Sequence, residues 1–199
     1  KAVNPAERVY YPVADNKEPI VAIGTDKEVD DPSIEVYFKQ DATPDSEKNN
    51  VGYLASQYMT SMITSMLNAR LSELTQSANP PFTRAYSSYG NFFVAKTKEA
   101  LNLSASSKAD GIEKALKVLL QEAERARRFG FTESEYARAR ANYLQRLESA
   151  YNEREKTKHG SYVREYVRNF LDAEPIPGIE TEYAMMNQLA PNLPVQAIN

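Results

Sequence analysis

Few residues of this sequence combine the types and spacing that enzyme chemistry needs. The chain has one histidine, His159, in the stretch KTKHGSY, and it has no cysteine. Zinc in proteins takes three or four His, Cys or carboxylate ligands, so a lone histidine beside Gly160 favours a turn between helices over a metal site. Glu133 and Glu135 are close neighbours, but their positions favour a role at a helix N-terminus over acid–base catalysis.

The short motifs that carry catalysis or nucleotide binding are missing from the sequence as well. Neither zinc motif, H-E-x-x-H or H-x-x-E-H, occurs, and G-x-S-x-G, G-x-x-x-x-G-K-[ST] and G-x-G-x-x-G do not occur either. We therefore predict no catalytic, metal-binding or cofactor-binding residue in this segment.

The composition predicts a folded domain and excludes some partners. A chain of 199 residues with 42% hydrophobic content can bury one sizeable core. Its net charge of −3 lacks the basic excess of a nucleic-acid binder, so we expect no nucleic-acid partner. A minor alternative places nucleic-acid binding on the arginines between residues 125 and 140. No apolar run approaches the roughly 20 residues that span a bilayer, so we expect no membrane span.

The two ends of the sequence suggest a segment of a longer polypeptide. Residues 1–17 predict an extended lead-in interrupted by prolines. Near the other end, Pro194 suits the first turn of a helix that does not continue. We expect residues 1–199 to form a single domain that has been excised from a longer chain.

The first half of the chain, residues 18–108, predicts two strand pairs that flank a long helix. EPIVAIGTD (18–26) is short and β-branched, which is typical of a buried strand, and SIEVYFKQ (33–40) alternates apolar and polar residues. We expect these two segments to pair. Residues 45–76 predict the helix, because apolar residues recur at spacings of three and four. Residues 83–98 and 99–108 predict the second strand pair.

The second half of the chain, residues 109–199, predicts helices only. The apolar stripe of one helix ends at Gly130, a residue that suits the left-handed position after a helix. Thr132 and Glu135 then form a capping box that begins the next helix. Two shorter helices follow, on either side of EPIPG. In the first of them Tyr162, Tyr166 and Phe170 align, which suits either core packing or a docking face for a neighbouring domain. The class is therefore α+β, with helices packed on one face of an antiparallel sheet and an all-helical C-terminal part.

Four stretches in order resemble the M16, or pitrilysin/insulinase-like, zinc metallopeptidases, and more specifically the M16 inactive domain. The stretches are MLNARLSEL, PPFTRA, LNLSASSK and RRFGFTESEYARARANYL. The resemblance runs from about Glu18 to Pro194, and EPIPGIETEYAMMNQLAP further resembles long members that join two halves in one polypeptide. It implies the LuxS/MPP-like metallohydrolase fold.

The resemblance also implies a division of labour. In such enzymes the first domain carries H-x-x-E-H and binds zinc, and two halves close as a chamber around a peptide. Other copies contribute an Arg and a Tyr in an E-L-R pattern followed by L-x-Y. Here Glu73 and Leu74 match, but Thr75 replaces the Arg, so neither role is transferred to this chain.

We therefore expect a noncatalytic structural domain of a zinc metalloendopeptidase. Zinc would lie in the parent enzyme's first domain, and the partners would be the catalytic domain of the same polypeptide and the peptide substrate. The resemblance favours the periplasm or cell envelope. The alternative is a stand-alone interaction or chaperone-like domain that reuses the fold.

Overall fold

The computed structural model describes residue 6, residues 9–29 and residues 31–199. Within these residues it has three β-strands and five α-helices. They are, in chain order, β1 (Ser33–Asp41), α1 (Val51–Thr75), β2 (Arg84–Asn91), β3 (Lys98–Ser106), α2 (Ile112–Phe129), α3 (Glu133–Asn152), α4 (His159–Asp172) and α5 (Ile179–Asn192). The α+β class and the all-helical C-terminal part are confirmed.

The strands form one antiparallel sheet in the order β1-β3-β2. Residue Leu103 at the centre of β3 lies opposite Val36 of β1 and Ser87 of β2. The β2–β3 pair is the predicted hairpin, but β2 ends earlier than expected, at Asn91, because residues 92–97 form the turn between the two strands. The prediction that residues 18–26 and 33–40 pair is wrong, since β1 pairs with β3 instead.

The predicted strand at residues 18–26 does not form in the described structure. Its backbone is extended but joins no strand ladder, and Ile20, Val21 and Ile23 are exposed. A strand needs a neighbour for its N–H and C=O groups, and none of the described strands forms a ladder with this segment. The predicted lead-in, residues 1–17, is without regular structure where it is described, and residues 1–5, 7 and 8 lie outside the described part.

Packing within the chain divides it into two compact units. The first unit comprises residues 1–42 and 74–119, and so contains the sheet and the first part of α2. The second comprises residues 43–73 and 120–199, and so contains most of α1, the rest of α2 and the three later helices. That residues 1–199 form a single domain stays a prediction.

Helix α1 begins later than the sequence predicted. Residues Asp45–Glu47 form a 3-10 turn, and the side chain of Asn50 then accepts a hydrogen bond from the backbone N–H of Tyr53 at 2.9 Å. That bond satisfies one of the free donors at the helix start. Only part of the apolar face of the helix is fully buried, and Val51 is exposed; the buried residues of the helix are Tyr58, Met62, Met66, Leu67, Arg70 and Leu71.

Helix α2 forms where the sequence predicts it, but only part of its apolar stripe is buried. Ala115 and Leu119 are buried, whereas Ile112, Leu116 and Leu120 are exposed. In the described part of the chain no helix combines the length and the apolar character that crossing a bilayer requires.

Candidate functional site

The joint between α2 and α3 has the local geometry that the sequence predicts. Gly130 has a φ of 63°, the left-handed conformation in which glycine avoids the steric cost of a side chain. The Thr132 side chain accepts a hydrogen bond from the backbone N–H of Glu135, and the Glu135 carboxylate accepts one from the backbone N–H of Thr132. Helix α2 therefore ends at Phe129, and a reciprocal capping box begins α3.

Arg70 of α1 connects this joint to a second helix. Its Nε donates to Oε1 of Glu135 at 2.6 Å, and its Nη2 donates to Oε2 of Glu135 at 3.0 Å. Nη2 also donates to the carbonyl oxygen of Gly130 at 2.9 Å. The guanidinium lies 4.6 Å from the centre of the Phe131 ring. One planar side chain thus holds both the glycine carbonyl and the capping carboxylate.

The charges at the joint are matched and largely buried. The side chain of Arg70 is 7% exposed and that of Glu135 is 16% exposed. Hydrogen bonding from Arg70, followed by that from Thr132, lowers the pKa of Glu135 to about 2 in spite of its burial. Glu135 is therefore an ionised structural carboxylate at neutral pH and cannot serve as a general acid there.

Asn199 completes the joint. The Asn199 side chain accepts a hydrogen bond from the backbone N–H of Phe131 at 2.7 Å and donates one to the carbonyl oxygen of Phe131 at 3.1 Å. Its amide therefore pairs with the peptide unit of Phe131 as a neighbouring strand would. This contact, like the role of Arg70, was not predicted from the sequence.

A cluster of tyrosines lies in the same unit as the joint. The hydroxyls of Tyr58 and Tyr136 are 3.0 Å apart, and the Tyr136 hydroxyl donates to the carbonyl oxygen of Leu193 at 2.9 Å. The rings of Tyr58 and Tyr143 meet edge to face. Burial raises the pKa of Tyr58 above its ordinary value and raises that of Tyr143 to about 12. Tyr58 and Tyr143 therefore stay neutral at physiological pH and serve packing.

An open pocket of about 290 Å3 lies on one face of the sheet. Its lining includes Tyr37, Tyr86, Ser88 and Asn102. Nδ2 of Asn102 is buried and has no hydrogen-bond partner in the described structure. The pocket carboxylate, Glu35, accepts a hydrogen bond from the Tyr37 hydroxyl, which raises the pKa of Tyr37 to about 12. The pocket offers aromatic surface and hydrogen bonding without an activated nucleophile.

His159 lies at the start of α4, where it is exposed, and not in the turn that the sequence predicted. Within the residues that the structure describes, no group of three or more His, Cys, Asp or Glu side chains could hold a metal ion. The described residues therefore do not fit a zinc ion, which needs at least three protein ligands.

Helix α4 exposes several large apolar side chains on one face. None of its residues is buried, and Phe170 and Tyr166 are 80% and 60% exposed. Val163 and Val167 are exposed on the same side, because positions 163, 166, 167 and 170 follow the helical spacing of three and four. We call these four residues the α4 stripe. Of the two uses predicted for Tyr162, Tyr166 and Phe170, core packing is not realised within the described structure.

Most of the chain is similar to known proteins. Residues 1–143 match the family model described as the Peptidase M16 inactive domain. A curated zinc protease PQQL-like protein from Arabidopsis thaliana is 26% identical over 189 residues, which are 95% of this chain. The chain spans only 16% of the length of that relative.

Solved structures share the fold at lower sequence identity. The first half of the periplasmic protease PqqL from Escherichia coli superimposes with a TM-score of 0.76 at 20% identity, over 87% of this chain and 36% of that one. A predicted insulinase family protease from Yersinia pestis gives a TM-score of 0.71 at 9% identity, over 86% of this chain and 36% of that one. At such identities the likeness concerns the fold.

Proposed function

Because the chain belongs to the Peptidase M16 inactive-domain family, we propose that it is a noncatalytic structural domain of a two-half zinc metallopeptidase. In this role it supports the zinc-binding domain of the same polypeptide and helps to enclose the chamber that holds the peptide substrate. The parent enzyme hydrolyses peptides by attack of a metal-activated water. That chemistry belongs to the other domain, since the described residues of this chain do not fit a zinc ion.

The observation that carries the proposal is the α4 stripe. An aromatic and β-branched helix face that is 80% exposed at Phe170 is costly to leave in water, and large apolar patches on folded proteins mark interfaces. The chain covers 36% of the first half of PqqL. In a parent protein with a half of similar length, the remaining residues of that half can pack against this surface. The stripe is thus the contact with the neighbouring domain.

The comparisons also bear on the compartment. One structural relative, PqqL of Escherichia coli, is described as a periplasmic protease. By extension we assign the parent of this chain to the periplasm or cell envelope. Secretion of an epitope-tagged parent, measured by cell fractionation, tests this assignment.

The second candidate is an interaction or chaperone-like domain that reuses the fold, and the same exposed stripe favours it. The two candidates differ in the parent polypeptide. An H-x-x-E-H motif upstream of this domain supports the peptidase, whereas its absence from the whole parent supports the interaction domain.

A pair of α4 variants in the complete, zinc-loaded polypeptide tests the proposed role. Phe170→Asp places a charge in the stripe, and Arg164→Gln changes the net charge by the same amount on the same helix outside the stripe. We expect Phe170→Asp to lower kcat/KM for a model peptide at least tenfold, because domain docking positions the chamber wall. Arg164→Gln should leave kcat/KM unchanged.

Two controls accompany the activity assay. Zinc content, measured by mass spectrometry, and the circular dichroism spectrum should be the same in both variants, because neither substitution touches a zinc ligand or a buried residue. Full activity in Phe170→Asp would refute the supporting role and would favour the interaction domain.

A further inference from the structure

Residues 19–25 are a segment with the sequence of a strand and no strand partner. Ile20, Val21 and Ile23 are β-branched, as in buried strands, yet they are 77%, 77% and 89% exposed. In the described part of the chain, no backbone N–H or C=O group of residues 19–25 has a backbone partner. An extended apolar segment with free backbone groups is a template for pairing with another strand.

The chain before this segment is tied to the sheet at residues 14 and 15. Nζ of Lys98, a buried residue, lies 2.6 Å from Oδ1 of Asp15 and 2.6 Å from Oδ1 of Asp41. The carbonyl oxygen of Ala14 accepts a hydrogen bond from Nζ of Lys39 at 2.9 Å. Residues 14 and 15 are therefore held beside the last residues of β1.

The chain after the segment is tied to the sheet at Pro32, at the opposite end of β1. The carbonyl oxygen of Pro32 accepts a hydrogen bond from the backbone N–H of Ser107 at 3.0 Å, directly before β1 begins. The chain between Asp15 and Pro32 must therefore travel back along the length of β1, which is about 30 Å for a strand of this length. A turn at Asp26–Val29, closed by a hydrogen bond from the Val29 N–H to the Asp26 carbonyl oxygen, separates the segment from β1.

These anchors fix where the segment runs and leave its apolar side chains in water. Ordinary linkers between two anchors are polar and rich in glycine or proline, because exposed β-branched runs promote aggregation. We propose that residues 19–25 form a β-strand that is completed by a strand from elsewhere in the same polypeptide, outside residues 1–199. The inference rests on the proposed function in one respect, namely that this chain is one domain of a longer protein.

The length of the relatives supports this occupant over a second copy of the chain. The curated relative matches over 95% of this chain but extends far beyond it, since the match covers 16% of that protein. A strand from the same polypeptide is always present at high effective concentration, whereas a second copy must be recruited from solution.

Hydrogen exchange of the complete polypeptide tests whether the strand forms. We expect the amides of residues 19–25 to exchange on the order of a hundredfold more slowly than those of the β2–β3 turn, where Val94 is 97% exposed. The protection should not change when the protein is diluted tenfold. Exchange as fast as that of the turn would overturn the proposal, and protection that disappears on dilution would replace the proposed occupant by a second copy.

A photo-crosslinker identifies the partner. With p-benzoyl-phenylalanine at position 23 of the complete polypeptide, we expect an intramolecular crosslink to a peptide outside residues 1–199. A crosslink to β1 or between two chains would overturn the proposal. Neither readout depends on hydrolysis, so a parent that lacks peptidase activity but protects residues 19–25 would refute the proposed function and leave this inference standing.

Discussion

At the scale of single residues, Arg70 is the side chain on which the joint between α2 and α3 depends most. It forms a bidentate ion pair with Glu135 and also bonds the Gly130 carbonyl oxygen. We expect Arg70→Met to lower the free energy of unfolding by about 3 kcal/mol, because the Glu135 carboxylate is left without its partner in a largely buried site. Urea unfolding of the purified chain measures this loss. Arg128→Met, which removes an arginine from an exposed ion pair with Glu124, is the control and should have no measurable effect.

The same ion pair makes stability depend on pH in a defined direction. The pKa of Glu135 falls from its ordinary 4.5 to about 2 in the folded chain. A group with a lowered pKa in the folded state adds stability above its unfolded pKa and loses that stability as the pH falls through its folded pKa. We expect the free energy of unfolding to fall between pH 4.5 and about 2, and to fall less steeply in Glu135→Gln. Parallel pH profiles of the two proteins would contradict the assignment.

Gly130 is constrained both by its backbone and by its surroundings. A Cβ atom at this position would lie 2.3 Å from Cγ of Asn199, and φ is +63°. We expect Gly130→Val to cost more than Thr132→Ala, which should lose about 0.5–2 kcal/mol through the missing cap. Thermal unfolding compares the two variants. In an Asn199→Gly background the clash disappears, so the part of the loss that remains in Gly130→Val reports the backbone strain alone.

These residues also show which features of the site were readable from the sequence. Gly130, Thr132 and Glu135 were predicted because a helix stop and a capping box involve neighbours in the chain. Arg70 was missed because its partner Glu135 lies 65 positions away. One local signal was present, since a charged residue interrupts the apolar line of α1 between Leu67 and Leu71. A charge in such a position is rarely buried without a partner.

At the scale of elements, the helices were easier to predict than the pairing of the strands. Helical periodicity reports a face that must be buried, and the helix ends carry local signals. Strand pairing depends on residues far apart in the sequence, such as Val36 and Leu103. The pattern of residues 18–26 is correct for a strand, but no pattern within a segment states where its partner lies.

Helix α4 is the element whose exposed face has a direct consequence in solution. We expect the purified chain to self-associate through the α4 stripe, because Phe170 and Tyr166 are largely exposed. Phe170→Asp should reduce the association at least tenfold, whereas Arg164→Gln should not change it. Sedimentation velocity over a range of concentrations measures the effect. Equal association of the two variants would mean that another surface drives it.

At the scale of the whole molecule, the chain belongs to the Peptidase M16 inactive-domain family, and several described groups with shifted pKa values have structural explanations. The ionised Glu135 and the neutral tyrosines Tyr58 and Tyr143 all have structural partners or burial that account for their pKa values. Fold alone does not determine a role, because one fold can carry many functions. The role of this chain therefore depends on its contacts with the rest of the parent protein and on whether it binds a metal ion.

Metal binding by the purified chain provides a direct measurement of that contribution. The sequence has one histidine and no cysteine, and the described residues contain no group of three or more potential ligands. Tight zinc sites need three or four ligands in a fixed geometry, so we expect titration calorimetry to detect only weak zinc binding by surface carboxylates. His159→Ala should give the same titration as the parent sequence. Stoichiometric, tight binding that is lost in His159→Ala would show that α4 begins at a metal site, and would overturn the assignment of all zinc chemistry to another domain.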